Sequence, residues 1–280
     1  MYKSEPNSRT CSSHEVAHQW WGHQVAGANV QGYAWLSEGL SNYSALTVME
    51  KQYGAARLQT FLAFELDQYL LWRGAERGAE RPLMLVERQP YIHYNKGSIA
   101  LYASRDLIGE DAMNRARSKF LTAMAFSGAP YPTSRDLVRY LEDETPDSLK
   151  YASTDLFKTI TLWDNRTQSA TATPRGDGTF DVRIHVTARK VRADSVGNEQ
   201  AIPMGDLVDL GVFGQSRNRS RLSAPLVMQK VWLRSADTTY TVVVKERPML
   251  AGIDPYNKLI DRDRRDNVRD LTFDEHGVRH

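Results

Sequence analysis

Residues 14–22 read His-Glu-Val-Ala-His-Gln-Trp-Trp-Gly, and the first five of them form the pattern His-Glu-x-x-His. Side chains four residues apart lie on one face of a helix, so the imidazoles of His14 and His18 can both reach a single ion. Glu15 lies about 100° further around such a helix, where a carboxylate can act on a water molecule without binding the ion. The pattern therefore predicts a zinc site with His14 and His18 as ligands and Glu15 as the catalytic base. The alternative is a helix that carries two histidines by coincidence.

A catalytic zinc ion takes three protein ligands and keeps one position open for water or substrate. Glu38 is the candidate for the third ligand. It lies in the stretch Trp-Leu-Ser-Glu-Gly of residues 35–39, and nineteen residues separate it from His18. This separation allows the first helix to end, the chain to turn near Gly27 or Gly32, and an antiparallel helix to return. The resulting His-His-Glu set favours zinc among the common metals. The alternative is a solvent-exposed carboxylate on a helix face.

Composition narrows the class of protein. The chain has 280 residues, of which 41% are apolar and 25% are charged, as expected for one large or two modest globular domains. Lys and Arg number 36 against 34 for Asp and Glu, and this balance gives no case for a nucleic-acid partner. Cys11 is the only cysteine, so no internal disulfide can form. The sequence shows no signal peptide and no apolar run near the ~18 residues of a membrane span, so we expect a soluble chain.

The first part of the chain has the apolar spacing of helices. Residues 56–72 repeat apolar side chains with a period close to 3.6, and Thr133 with Asp136 forms a weak capping box before a further helix. The predicted helices cover residues 14–25, 35–53, 56–72, 97–108 and 111–126.

After about Gln168 the pattern changes to alternation of apolar and polar residues, which indicates half-buried strands. The predicted strands lie in residues 179–187, 208–212, 226–233 and 238–244. The sequence therefore predicts an α+β chain of two domains. A mainly helical catalytic subdomain covers residues 1–165, and an antiparallel β-sandwich-like domain covers residues 166–280.

Three motifs together resemble one known family. They are residues 14–22, residues 35–39 and the stretch Tyr-Asn-Lys-Gly of residues 94–97, and they occur in the order found in the membrane alanyl aminopeptidase family. This gluzincin family also includes leukotriene hydrolase. More closely, residues 14–50, 90–97 and 251–260 resemble bacterial peptidase domains that are fused to membrane segments similar to ABC-transporter permeases. The resemblance implies an aminopeptidase-like zinc peptidase with one zinc ion, a peptide substrate and a membrane-attached bacterial parent protein.

The resemblance also implies a role for Tyr94. In the family, the tyrosine of the Tyr-x-Lys-Gly motif donates a hydrogen bond to the oxyanion of the tetrahedral intermediate. A phenol aimed at developing negative charge is what acyl transfer requires beside the metal. The alternative is a core tyrosine that uses its hydroxyl for structure, of which Tyr91 is the example.

The chain departs from the family pattern at its beginning. Family members carry a Gly-x-Met-Glu-Asn strand before the zinc-binding helix, and its glutamate binds the free amino terminus of the substrate. This sequence has thirteen residues before His14 and no such motif among them. The expectation is therefore an N-terminally truncated portion of a longer protein, with either aminopeptidase or endopeptidase specificity. Two alternatives to an active peptidase remain: a zinc-stabilised interaction module of a transporter-associated membrane protein, and an inactive fragment.

Other polar residues are weaker candidates. His23 and Glu50 are predicted at the surface or behind the metal ligands, and His93 is a candidate for the wall of the cleft. Trp20 and Trp21 are predicted to belong to the core. The charged run of residues 261–267 lacks the glycine and the final glutamate of a calcium loop, so we expect a solvated segment there.

Overall fold

The computed structural model describes residues 5–216 and 222–274 and divides the chain into two compact units. The helical unit comprises residues 1–161, 192–200 and 258–260, and the strand unit comprises residues 162–191, 201–257 and 261–280. Helices followed by two mostly antiparallel sheets confirm the α+β fold class. Within the described ranges, no helix is long and apolar enough to cross a bilayer.

The described part of the helical unit contains seven α-helices. They are α1 (Glu5–Ala17), α2 (Leu40–Tyr53), α3 (Ala55–Ala75), α4 (Gly97–Ile108), α5 (Glu110–Met124), α6 (Ser134–Asp143) and α7 (Tyr151–Ser153). Three π-helical turns interrupt them, at Trp35–Gly39, Tyr91–Lys96 and Thr154–Lys158. The helix predicted over residues 97–108 has those bounds as α4, and the capping box of Thr133 and Asp136 is present at the start of α6.

The first helix differs from its prediction over residues 14–25, because α1 begins earlier and ends at Ala17. Beyond it the chain folds back, and the Val25 amide donates to the Trp20 carbonyl over 2.9 Å. Gly22 supports this turn with a φ of +108°, and a Cβ at that position would lie 2.7 Å from the Ser37 hydroxyl oxygen. The tight packing of the turn against the segment that carries Glu38 therefore ends the helix.

The described residues form two sheets. The strands are β1 (Ile160–Pro174), β2 (Phe180–Ala193), β3 (Glu199–Ala201), β4 (Asp206–Phe213), β5 (Pro225–Leu233), β6 (Asp237–Val244), β7 (Leu250–Ile253), β8 (Val268–Asp270) and β9 (Thr272–Phe273). One sheet has the order β3-β2-β1-β9 with β6 also paired to β2, and the other has the order β5-β4-β7-β8. The alternation in β2 buries Val182, Ile184 and Val186 completely, so the sequence pattern identified the inward face of this strand.

The charged run of residues 261–267 is not a solvated segment. Asp261 and Asn267 are fully buried, and the Asp261 carboxylate accepts the backbone N–H groups of Asn165 and Asp263, each over 3.2 Å. Burial, together with the nearby charge of Asp254, raises the pKa of Asp261 to about 8. Because this carboxylate joins segments about a hundred residues apart in the sequence, spacing within the run cannot reveal its burial.

The raised pKa of Asp261 predicts a stability that falls with increasing pH. The folded state binds the proton more tightly than the unfolded state, so this contribution is complete below pH 3.8 and is lost as the pH rises to about 8. Between pH 5 and pH 8 the loss is at most about 4 kcal/mol, from ~1.4 kcal/mol per pH unit. Urea unfolding of the wild type and of Asp261→Asn at both pH values measures it, with Asp270→Asn as an exposed control. Equal pH dependence in all three proteins would contradict the assignment.

Candidate active site

Three side chains from two segments converge on one point. His14 Nε2 lies 3.1 Å from His18 Nε2 and 3.2 Å from Glu38 Oε2, and His18 Nε2 lies 3.3 Å from the same carboxylate oxygen. Ligands about 2.0–2.1 Å from a tetrahedral zinc ion are separated from each other by about 3.3 Å. The donor set and its spacing therefore fit zinc. Among the described residues, these three form the group of His, Cys, Asp or Glu side chains whose ligand atoms converge within 4.8 Å.

The His18 ring is oriented by the turn that ends α1. Its Nδ1 donates to the Trp21 carbonyl over 2.9 Å, with the hydroxyl oxygens of Ser41 at 3.2 Å and Ser37 at 3.4 Å. A proton on Nδ1 leaves the lone pair of Nε2 free, which is the tautomer that a metal requires. Because α1 ends at Ala17, the turn that follows brings the Trp21 carbonyl to the imidazole of His18.

Glu38 is present as a carboxylate at neutral pH. The hydrogen bond with His14 is the largest cause that lowers its pKa to about 2, and the Tyr94 hydroxyl and the charge of His18 lower it further against the opposing effect of burial. An anionic oxygen between two imidazoles is the donor that completes a His-His-Glu set.

Glu38 and Tyr94 lie on two π-helical turns that pack against each other around Trp35. A Cβ on Gly39 would lie 2.2 Å from Trp35 Cδ1 and 2.7 Å from the His93 carbonyl oxygen, and a Cβ on Gly97 would lie 2.9 Å from Trp35 Cδ1. Only glycine permits this approach at either position. Gly39 and Gly97 therefore allow the two turns to pack closely against each other. π-Helical turns are frequent at functional sites.

Tyr94 reaches the three converging side chains. Its ring centroid lies 5.8 Å from that of His14, and the Glu38 carboxylate is close enough to act on the pKa of its phenol. Burial, followed by the hydrogen bond and charge of Glu38 and then the charge of Glu15, raises the pKa of the Tyr94 phenol above its ordinary value. The phenol therefore keeps its proton and remains a hydrogen-bond donor.

Glu15 lies on the exposed side of α1, next to His14. Its charge contributes to the raised pKa of the Tyr94 phenol, which indicates that the two groups are within electrostatic range of each other. The carboxylate is thus solvent-accessible and close to the cleft while remaining outside the group of three converging ligand atoms.

A buried polar network supports the turn that carries Tyr94. Asn42 Nδ2 donates to the Tyr94 carbonyl over 3.3 Å, and Asn95 Nδ2 donates to Glu65 Oε2 over 2.6 Å. Glu65 is only 7% exposed, and its burial raises its pKa to about 7. Sequence reasoning missed this residue. The available signal was its place in α3, on the apolar stripe between Leu62 and Tyr69.

Lys96 anchors the same turn from the other side. It is fully buried, its Nζ lies 3.9 Å from Glu80 Oε1, and burial lowers its pKa to about 8. Glu80 also accepts hydrogen bonds from the Tyr69 hydroxyl over 2.6 Å and from Arg73 Nε over 2.7 Å. The lysine of the Tyr-x-Lys-Gly motif therefore lies away from the converging ligands and holds the turn in the core.

The weaker candidates have separate positions. His93 is 7% exposed and its ring lies 4.7 Å from the Tyr94 ring, so it packs behind this tyrosine, and burial lowers its pKa to about 4. His23 is exposed. Glu50 is neither a surface residue nor a neighbour of the converging ligands, because it pairs with Arg105 and accepts the Tyr102 hydroxyl over 2.7 Å.

This chain matches a protein-family model and a curated protein. Residues 3–157 match the model of the peptidase family M1 domain. The human endoplasmic reticulum aminopeptidase 2 is 27% identical over 123 residues, which are 42% of this chain and 13% of the human protein. This chain therefore spans about an eighth of the length of that curated relative.

One solved structure shares the fold over most of this chain, and a second matches part of it. Aminopeptidase A of Legionella pneumophila, in complex with aspartic acid, superposes with a TM-score of 0.52 at 12% identity, over 95% of this chain and 27% of that one. An M1 zinc metallopeptidase of Deinococcus radiodurans, as a variant bound to a Tyr-Ser-Ala substrate, has a TM-score of 0.43 at 22% identity, over 55% of this chain and 33% of that one. Because the family model covers more than half of its residues, the chain belongs to peptidase family M1.

Proposed function

We propose that this chain contains the zinc-binding and catalytic residues of an aminopeptidase-like metallopeptidase. His14, His18 and Glu38 would bind one zinc ion. The observation that supports this most directly is the convergence of their three ligand atoms to within 3.1–3.3 Å of each other. Membership of peptidase family M1 supports the same reaction class.

The chemistry divides between the metal and two side chains. When bound, zinc would polarise the scissile carbonyl and acidify the attacking water. Glu15 would take the proton from that water and deliver it to the leaving amine. Tyr94 would donate its phenol hydrogen bond to the carbonyl oxygen as negative charge develops there. The raised pKa of the Tyr94 phenol supports this role, because the donor stays protonated at neutral and mildly basic pH.

The substrate would be a peptide that is cut near its amino terminus. Both the human relative and the Legionella neighbour are named aminopeptidases. The resemblance of residues 251–260 to peptidase domains fused to permease-like segments supports a parent protein attached to a bacterial membrane.

Hydrolysis of short peptides by the full-length natural protein tests the proposal. We expect cleavage of peptides with a free amino terminus, weaker cleavage of their acetylated counterparts, and at least a tenfold loss of activity after zinc chelation that added zinc reverses. Mass spectrometry of the products identifies the bond that is cut. A zinc-loaded protein that cleaves no peptide would contradict the proposal and favour an interaction module.

A further inference from the structure

Arg117, on α5, has an unusual environment for a guanidinium. It lies between two aromatic rings, 5.3 Å from the Trp21 centroid and 4.9 Å from the Tyr43 centroid. Its Nη2 donates to the Ser44 hydroxyl over 3.1 Å, while its Nε is buried without a hydrogen-bond partner. Stacking between two rings fixes the plane of the guanidinium.

No carboxylate of the described residues pairs with this guanidinium. The groups that affect Arg117 are Tyr43 and the like charge of Arg105, and burial lowers its pKa. Two other arginines of this region do have carboxylate partners. Arg105 pairs with Glu50 and Glu110, and Arg115 pairs with Glu144. A partly desolvated cation with an unsatisfied donor gains more from an added anion than an exposed cation does.

Arg117 also lines a groove between α1, α2 and α5. The groove has a volume of about 360 Å³ and continues into a second one of about 320 Å³ along α1. Trp20, Ser44 and Val48 line both parts, so the two form one elongated depression. Ser118 lines the end near Arg117, and Val16 lines the other end.

The groove is separate from the proposed catalytic cleft. Val16 lies on the face of α1 opposite to His14, as its two-residue offset within the helix requires, and Trp20 follows in the turn after α1. This face is largely apolar and open. Val16 is 57% exposed, Val48 is 45% exposed, and Trp20 is 42% exposed, contrary to the prediction that Trp20 belongs to the core. The depression thus combines one cationic end with an apolar length.

We propose that this groove binds an extended peptide segment whose acidic side chain pairs with Arg117 while its neighbouring apolar side chains pack on Trp20, Val16 and Val48. The elongated shape favours a peptide segment over a small free acid. The guanidinium, which has no carboxylate partner among the described residues, sets the charge of the occupant, and the exposed hydroxyl of Ser118 adds a donor for a carboxylate. The proposal does not depend on catalysis.

Calorimetric titration with the peptide acetyl-Val-Asp-Leu-Val-amide and its Asn counterpart tests this. The full chain carrying Glu15→Gln prevents cleavage, and both ends of each peptide are blocked, so the Asp side chain is the only difference in charge. We expect the Asp peptide to bind at least tenfold more tightly than the Asn peptide. Arg117→Gln should remove this difference. Arg115→Gln, on the same helix but paired with Glu144, should preserve it.

A second variant tests the groove without changing Arg117, so that a loss of binding in Arg117→Gln can be told apart from misfolding. Ser118 is exposed and lines the groove, so Ser118→Trp fills the groove while Arg117 remains, and it should abolish binding of the Asp peptide. Glutarate serves as a free acid without apolar neighbours and should bind far more weakly than the peptide. Equal affinity for the Asp and Asn peptides, unchanged binding in Ser118→Trp, or glutarate binding as tight as the peptide would overturn the proposal.

Discussion

Replacing Glu15 with Gln in the full-length protein should lower kcat for peptide hydrolysis by ~10²–10⁴ while leaving zinc bound. The amide keeps the shape of the side chain but cannot accept the proton of the attacking water. Because Glu15 lies outside the three converging ligand atoms, its loss removes no donor to the metal. Steady-state kinetics with metal analysis of the same sample separates the two effects.

An exposed carboxylate elsewhere in the helical unit gives the matched control for Glu15. Asp111 lies at the start of α5, and Asp111→Asn changes the net charge by the same amount. It should leave kcat and zinc content unchanged. If Glu15→Gln retains wild-type activity, Glu15 is not the base, and if it loses zinc, its role is structural.

Replacing Tyr94 with Phe should cost ~10²–10³ in kcat with a small change in KM, as expected for a donor whose hydrogen bond strengthens in the transition state. The phenol lies beside the converging ligands, and its pKa is raised, so the proton is present throughout the working pH range. Removing the hydroxyl leaves the ring in contact with His14 and His93.

Tyr91 provides a control on the same π-helical turn. Its hydroxyl contacts Gln89 and Glu76, over 3.4 Å and 3.3 Å, and lies away from the converging ligands. Tyr91→Phe should therefore keep kcat within about twofold, since the lost hydroxyl contacts are long and contribute only to the stability of the turn. A similar loss in both variants would show that Tyr94 matters for the structure of the turn and not for the oxyanion.

The sequence was sufficient to predict which side chains meet at the site. His14 and His18 come together because residues four apart lie on one face of a helix. Glu38 joins them when the following segment runs antiparallel to that helix. The structure brings all three together and places Tyr94 beside them. Alternation likewise located β2 and β4–β6, because a strand with one buried face repeats every two residues.

Features that depend on contacts between distant segments could not be predicted. α1 ends at Ala17 because the following turn packs on Ser37, and the π-helical turns form where Gly39 and Gly97 approach Trp35. Neither contact leaves a periodic signal in the sequence. Burial of Lys96 was missed for the same reason, since its partner Glu80 lies in a distant segment. Glu65 does lie on the apolar stripe of α3, but its partner Asn95 is 30 residues away.

Zinc content of ligand variants tests the central claim most directly. After dialysis against a zinc buffer, mass spectrometry of the metal should find one zinc per wild-type chain and one per His23→Ala, an exposed histidine just beyond the motif. His14→Ala, His18→Ala and Glu38→Ala should each lose the metal, while circular dichroism shows that they remain folded. Retention of one zinc by all three ligand variants, or its absence from the wild type, would contradict the account.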